Sequence, residues 1–223
     1  ITRKTLSISG LQALDKVYDG DLFATVDLSS VVKDGLVAGD EVDIVSTGTF
    51  SDQMVGQGKE VVFSNDYSGA DAGNYDISAR SSGLASIIRK VLTISGIRAL
   101  DREYDGSDAV QLDLSDSLVT GLIPNDDVSF VSTGIFSGKS AGKNKSVVLS
   151  NVFSGSDLGN YELKEQVTAL ASIKLKILKI FGEKTFDGKR DLSGGVTIET
   201  GVEGETLSYT GALALTASVA GPD

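Results

Sequence analysis

Residues 41–50, EVDIVSTGTF, return almost unchanged as DVSFVSTGIF at residues 127–136. In both stretches apolar and polar side chains alternate ahead of a closing phenylalanine, the period-two pattern of a strand with one face buried. The spacing between them, 127 − 41 = 86, recurs wherever the chain is tested: Leu6 to Leu92, Tyr18 to Tyr104 and Tyr75 to Tyr161. About 40 of the 86 positions in one period are identical, which marks duplicated copies of one domain rather than a short-period solenoid.

Working outward, strands are expected near KTLSIS, ALDKVY, FATVDL, KEVVFS, NYDISA and LASII, making seven with the stretch above. A single helical turn is expected at SSVVKDGL, and no segment carries a helical apolar stripe for 10 residues. With 26 glycines and frequent turn residues, the chain reads as all-β. The expected architecture is a series of small two-layer β domains placed end to end. An immunoglobulin-like sandwich is favoured, with a β-grasp-like arrangement as the alternative. The boundaries fall at 1–89, 90–175 and 176–223, the last a shortened or truncated copy opening with KILKIFGEKTFDG. The joins SIIRKVLTIS and SIKLKILKI lack Pro, Gly and flexible runs, so stiff joints are expected.

Composition narrows the function. Thirty-one acidic against 20 basic residues leave a net charge of −11, which disfavours nucleic acid and anionic lipid as partners. No stretch approaches the roughly 20 apolar residues of a membrane span, so no membrane insertion is expected. The segment reads as an excerpt of a longer polypeptide, without a signal peptide of its own. Cysteine and histidine are absent, removing disulfides, the usual soft metal ligands, and the commonest nucleophile and general base. No catalytic residue and no firm cofactor are assigned, and the chain is expected not to be an enzyme.

Three motifs remain. Tyr18-Asp19-Gly20 and Tyr104-Asp105-Gly106 suit a tight hairpin turn, with the ring of Tyr18 packed on its own sheet; Phe186-Asp187-Gly188 is the third copy, without the hydroxyl. The loops YSGADAGNYDIS and FSGSDLGNYELK offer Asp71, Asn74, Asp157 and Asn160 as calcium candidates against the plainer reading of an Asx turn before a core tyrosine. The acidic pairs Asp40-Glu41 and Asp126-Asp127 read as solvated turns, since neighbours on a strand point to opposite faces.

Taken in order, K.LTISG, aromatic-Asp-Gly, STG.F, G.GK.V and SGADAGNY resemble the YDG repeat domains of bacterial filamentous-haemagglutinin-like, two-partner secreted adhesins. The resemblance covers two complete units and the start of a third. It implies a stalk or spacer segment of a large extracellular or outer-surface protein acting in adhesion or biofilm. The partners it implies are neighbouring repeats of the same chain and, through the parent protein, polysaccharide or a host or matrix surface. A carbohydrate- or matrix-binding β module, stabilised by calcium, is the alternative.

Overall fold

In the computed structural model, residues 2–182, 185 and 196–208 are described. The first copy supplies β1 (Lys4–Ser9), β2 (Gln12–Ala13), β3 (Lys16–Val17), β4 (Phe23–Ala24), β5 (Val26–Asp27), β6 (Val32–Asp34), β7 (Asp43–Phe50), β8 (Gly56–Ser68), β9 (Tyr75–Ala79) and β10 (Ser82–Ile88). The second supplies β11 (Lys90–Ser95), β12 (Arg98–Ala99), β13 (Arg102–Glu103), β14 (Leu112–Asp113), β15 (Leu118–Thr120), β16 (Ser129–Phe136), β17 (Gly142–Ser154), β18 (Tyr161–Lys164) and β19 (Thr168–Lys174). Two strands follow, β20 (Lys179–Gly182) and β21 (Val196–Glu199), and a 3-10 turn precedes each of β9 and β18. The protein is all-β, as its alternation predicts.

Two expectations are corrected. Residues 32–34 of SSVVKDGL are a strand, not a helical turn, because β6 pairs antiparallel with β1 through Ser7 and Asp34. ALDKVY and FATVDL each break into two short strands. These join different sheets: β2 pairs with β5, while β3 and β4 lie on opposite edges of a five-stranded sheet ordered β3-β10-β8-β7-β4. A second, three-stranded sheet runs β6-β1-β9, with β1 and β9 parallel.

The turn after β3 forces that larger sheet to curl. Tyr18 N–H still bonds to Ile88 O on the β10 side, and Phe50 N–H of β7 already bonds to Leu22 O. Four residue steps reach at most about 14 Å, whereas the edges of a flat five-stranded sheet lie about 19 Å apart. Its edges therefore bend towards each other around the side chains they enclose. Alternation supplies those side chains: Val61 and Phe63 from β8, Gly83, Ala85 and Ile87 from β10, and Phe50 from β7 are all buried.

The chain packs as two compact units. The first comprises Ile1–Ser95, Leu118–Val131 and Val152–Glu165, so it contains the first copy together with the sheet β15-β11-β18 of the second. Its core runs continuously from Leu6, Ile8, Leu11 and Tyr18 to Leu92 and Tyr161. The second unit comprises Gly96–Ser117, Ser132–Asn151 and residues from Gln166 onward. There Ile97, Phe136, Val147, Leu149, Ala171 and Ile173 are buried, the positions that Leu11, Phe50, Val61, Phe63, Ala85 and Ile87 hold in the first copy.

Candidate functional site

The repeated Tyr-Asp-Gly stretch is a turn stabilised from within. Asp19 Oδ1 accepts the N–H of Asp21 at 3.2 Å, Gly20 takes φ = 80°, and Lys16 pairs with Asp19 at 2.7 Å and Asp21 at 2.6 Å. In the second copy Asp105 accepts both the N–H and hydroxyl of Ser107, at 2.9 and 2.8 Å, and pairs with Arg102. Those bonds, the Ser107 N–H foremost, hold the Asp105 carboxyl at about 2. The turn is not a hairpin, since the strands on its two sides do not pair with each other.

The ring of Tyr18 belongs to a core cluster that includes Leu11, Phe50 and Ile87 of its own copy and also reaches into the following copy. It is 1% exposed and meets Tyr161 edge-on, with centroids 5.6 Å apart and planes at 80°. Its hydroxyl donates to Asp126 Oδ2 at 3.0 Å. Tyr161 donates to the same oxygen at 2.5 Å and accepts the Ile123 N–H at 2.9 Å. One carboxylate thus takes two phenols from successive copies of the repeat. Around it, Asn160 accepts the Val55 N–H at 3.1 Å, and Arg89 Nε donates to Gly159 O at 3.1 Å. Gly20 is needed both for its positive φ and for closeness, since a Cβ there would lie 3.1 Å from an Ile123 methyl.

Burial first, and then the Asp126 carboxylate, push the Tyr18 phenol up to about 12 and raise that of Tyr161 as well. Both therefore remain neutral donors across the physiological range. Such an arrangement fastens; a phenol activated for attack would have its pKa lowered instead.

The pairing recurs. Tyr104 donates to Glu205, and the hydrogen bond, followed by burial, raises its pKa. Gly106 takes φ = 82°, and its missing Cβ would lie 2.6 Å from a Val202 methyl. In the first copy Tyr75 donates to Asp40 Oδ2 at 2.5 Å and accepts the Val37 N–H at 3.0 Å. Phe186, Asp187 and Gly188 lie outside the described residues.

The acidic pairs are thus not plain solvated turns. Asp40 and Asp126 accept tyrosine hydroxyls, while the N–H groups of Glu41 and Asp127 donate to Asp71 and Asp157, each at 2.9 Å. Gly69 and Gly155 permit this close crossing: at φ = 112° and 129°, a Cβ would lie 2.3 Å from Glu41 O and 2.0 Å from Asp127 O. Of the calcium candidates, Asp71 and Asp157 are committed to those N–H groups, Asn160 to Val55, and Asn74 is exposed. No group of three or more acidic side chains able to hold a metal occurs among the described residues. Reading the sequence placed Asp126 in a solvated turn and missed its role as acceptor for two tyrosines. Its signal was an acid repeated at the 86-residue period, Asp40 and Asp126, each 35 residues ahead of a repeated tyrosine, Tyr75 and Tyr161.

The architecture and these junctions define a tandem all-β protein whose repeats are joined through tyrosine–carboxylate pairs. The YDG domain profile matches residues 2–82 and again residues 88–169, and the chain belongs to the YDG domain family. Comparison with curated proteins finds no match.

Proposed function

We propose that these YDG domains are non-catalytic spacer repeats of a large bacterial surface or secreted adhesin, strung in series so that a binding region elsewhere in the parent protein is held away from the cell. The observation that carries this reading is the Tyr18–Asp126–Tyr161 junction: the motif residues with the most chemical potential are spent on holding one copy to the next. A net charge of −11 favours a well-solvated segment over one that binds nucleic acid or anionic lipid.

A spacer must lengthen with repeat number. Small-angle scattering on the chain, and on the chain with one further 86-residue copy in register, should show the maximum dimension growing by about 30 Å, one domain diameter. An unchanged maximum dimension would overturn the reading. The alternative, a carbohydrate- or matrix-binding module, would be supported instead by glycan-array binding abolished on mutation of an exposed loop.

A further inference from the structure

The junction around Asp126 has a counterpart in the first copy that no segment of the described chain fills. Asp40, Tyr75, Val37 and Asn74 stand where Asp126, Tyr161, Ile123 and Asn160 stand 86 residues later, and Tyr75 donates to Asp40 as Tyr161 does to Asp126. Tyr75 and Tyr161 are each 4% exposed, and the difference between the two places lies in the residues around them. Asn160 is 1% exposed beneath the Val55 backbone, whereas Asn74 is exposed; Ile123 is half-buried beside Gly20, whereas Val37 is 44% exposed. Asp40, Val37, Gly73, Asn74 and Tyr75 line an open recess on the first unit.

We propose that this recess is a docking site for the Tyr-Asp-Gly turn of a further YDG repeat. The occupant's tyrosine donates to Asp40 and stacks edge-on against Tyr75. Its glycine passes over Val37, and a backbone N–H from its β7–β8 turn reaches the Asn74 carbonyl. Each contact is already made in this molecule by Tyr18, Gly20 and Val55 on the second copy. The recess favours phenol over phenylalanine because the Asp40 carboxylate, already bonded to Tyr75, can accept a second hydroxyl as Asp126 does. Docking at Asp40 requires neither adhesion nor export, so the spacer reading stands or fails separately.

The test places a second copy of residues 4–89 directly ahead of Lys4 of the full chain, which reproduces the natural Arg89–Lys90 join. Methyl NMR with a soluble paramagnetic agent then reads Val37. Its relaxation enhancement is expected to fall to the level of Ile123. Changing the added copy's tyrosine to phenylalanine should raise the unfolding equilibrium constant by about tenfold, and Asp40→Asn should abolish that difference. A Val37 signal that stays as accessible as in the 223-residue chain overturns the proposal. So does an added copy that remains unfolded while the rest keeps its spectrum, because the recess would then not supply what Tyr161 and Asp126 supply to Tyr18.

Discussion

Tyr18 and Asp126, 108 residues apart, share a 3.0 Å hydrogen bond inside one packed unit, and the same carboxylate oxygen receives Tyr161. The relationship makes the aromatic residue of the family's signature a fastener between copies of the repeat, and its strength can be measured.

Tyr18→Phe keeps the edge-on ring contact and deletes only the hydroxyl. It should cost about 1.5–3 kcal/mol in urea unfolding, the range for a hydrogen bond to a charged acceptor. Tyr18→Ala also removes a ring that is 1% exposed and should cost about 3–5 kcal/mol. Equal losses for the two variants would show that the ring contributes nothing.

Removing the acceptor should matter more at the second copy than at the first. Asp126→Ala strands two phenols and should cost about 2–4 kcal/mol, whereas Asp40→Ala strands Tyr75 alone and should cost about 1–2 kcal/mol. The same pair of denaturation curves decides it, and the reverse order would contradict the shared-carboxylate geometry.

Gly155→Ala would set a Cβ 2.0 Å from the Asp127 carbonyl oxygen at φ = 129° and should cost about 3 kcal/mol or more. Gly73→Ala, with nothing within 4 Å of its added Cβ, should stay within about 0.5 kcal/mol of the parent protein. Thermal melts of the two proteins side by side test the contrast, and an intact Gly155→Ala melt would refute it.

Alkali should unfold the protein through its tyrosines. A free phenol titrates near 10, and Tyr18 in the fold is pushed up to about 12. The folded value is the higher one, so the stabilisation is complete below about pH 10 and is lost as pH rises from there to about 12. Absorbance at 295 nm and circular dichroism followed together should show Tyr18 ionising only as the fold is lost. In Tyr18→Phe the alkaline transition should lose that contribution.

Calcium should leave the protein unmoved. Asp71 and Asp157 already accept the backbone N–H groups of Glu41 and Asp127 in the crossing segments. The melting temperature should therefore be the same in millimolar Ca²⁺ and in EDTA. A rise with Ca²⁺ would restore Asp71, Asn74, Asp157 and Asn160 as ligands.

Much of the fold was legible because its longest strands alternate cleanly. In β7, β8, β16 and β17 each inward side chain is followed by an outward one, and the 86-residue spacing repeats the pattern. The short strands were harder to read. β2 through β6 are two or three residues long, too short for a period, and their partners come from distant strands. Asp19-Gly20 has the local chemistry of a hairpin, yet it carries the chain from one sheet edge to the other, which only the pairing of β3 with β10 and β4 with β7 reveals. The partner of Tyr18 was hidden for a related reason. A repeat period says how long the unit is but not where packing divides it, and Tyr18 is covered by residues of the following copy.

That Leu92 and Tyr161 complete the core holding Tyr18 has a consequence for synthesis. A chain made from its N-terminus exposes Tyr18 long before Tyr161 exists. The first copy must wait, partly uncovered, until most of the second has emerged, and then closes together with it. Each copy would in turn be finished by its successor, so that folding passes along the array from one copy to the next.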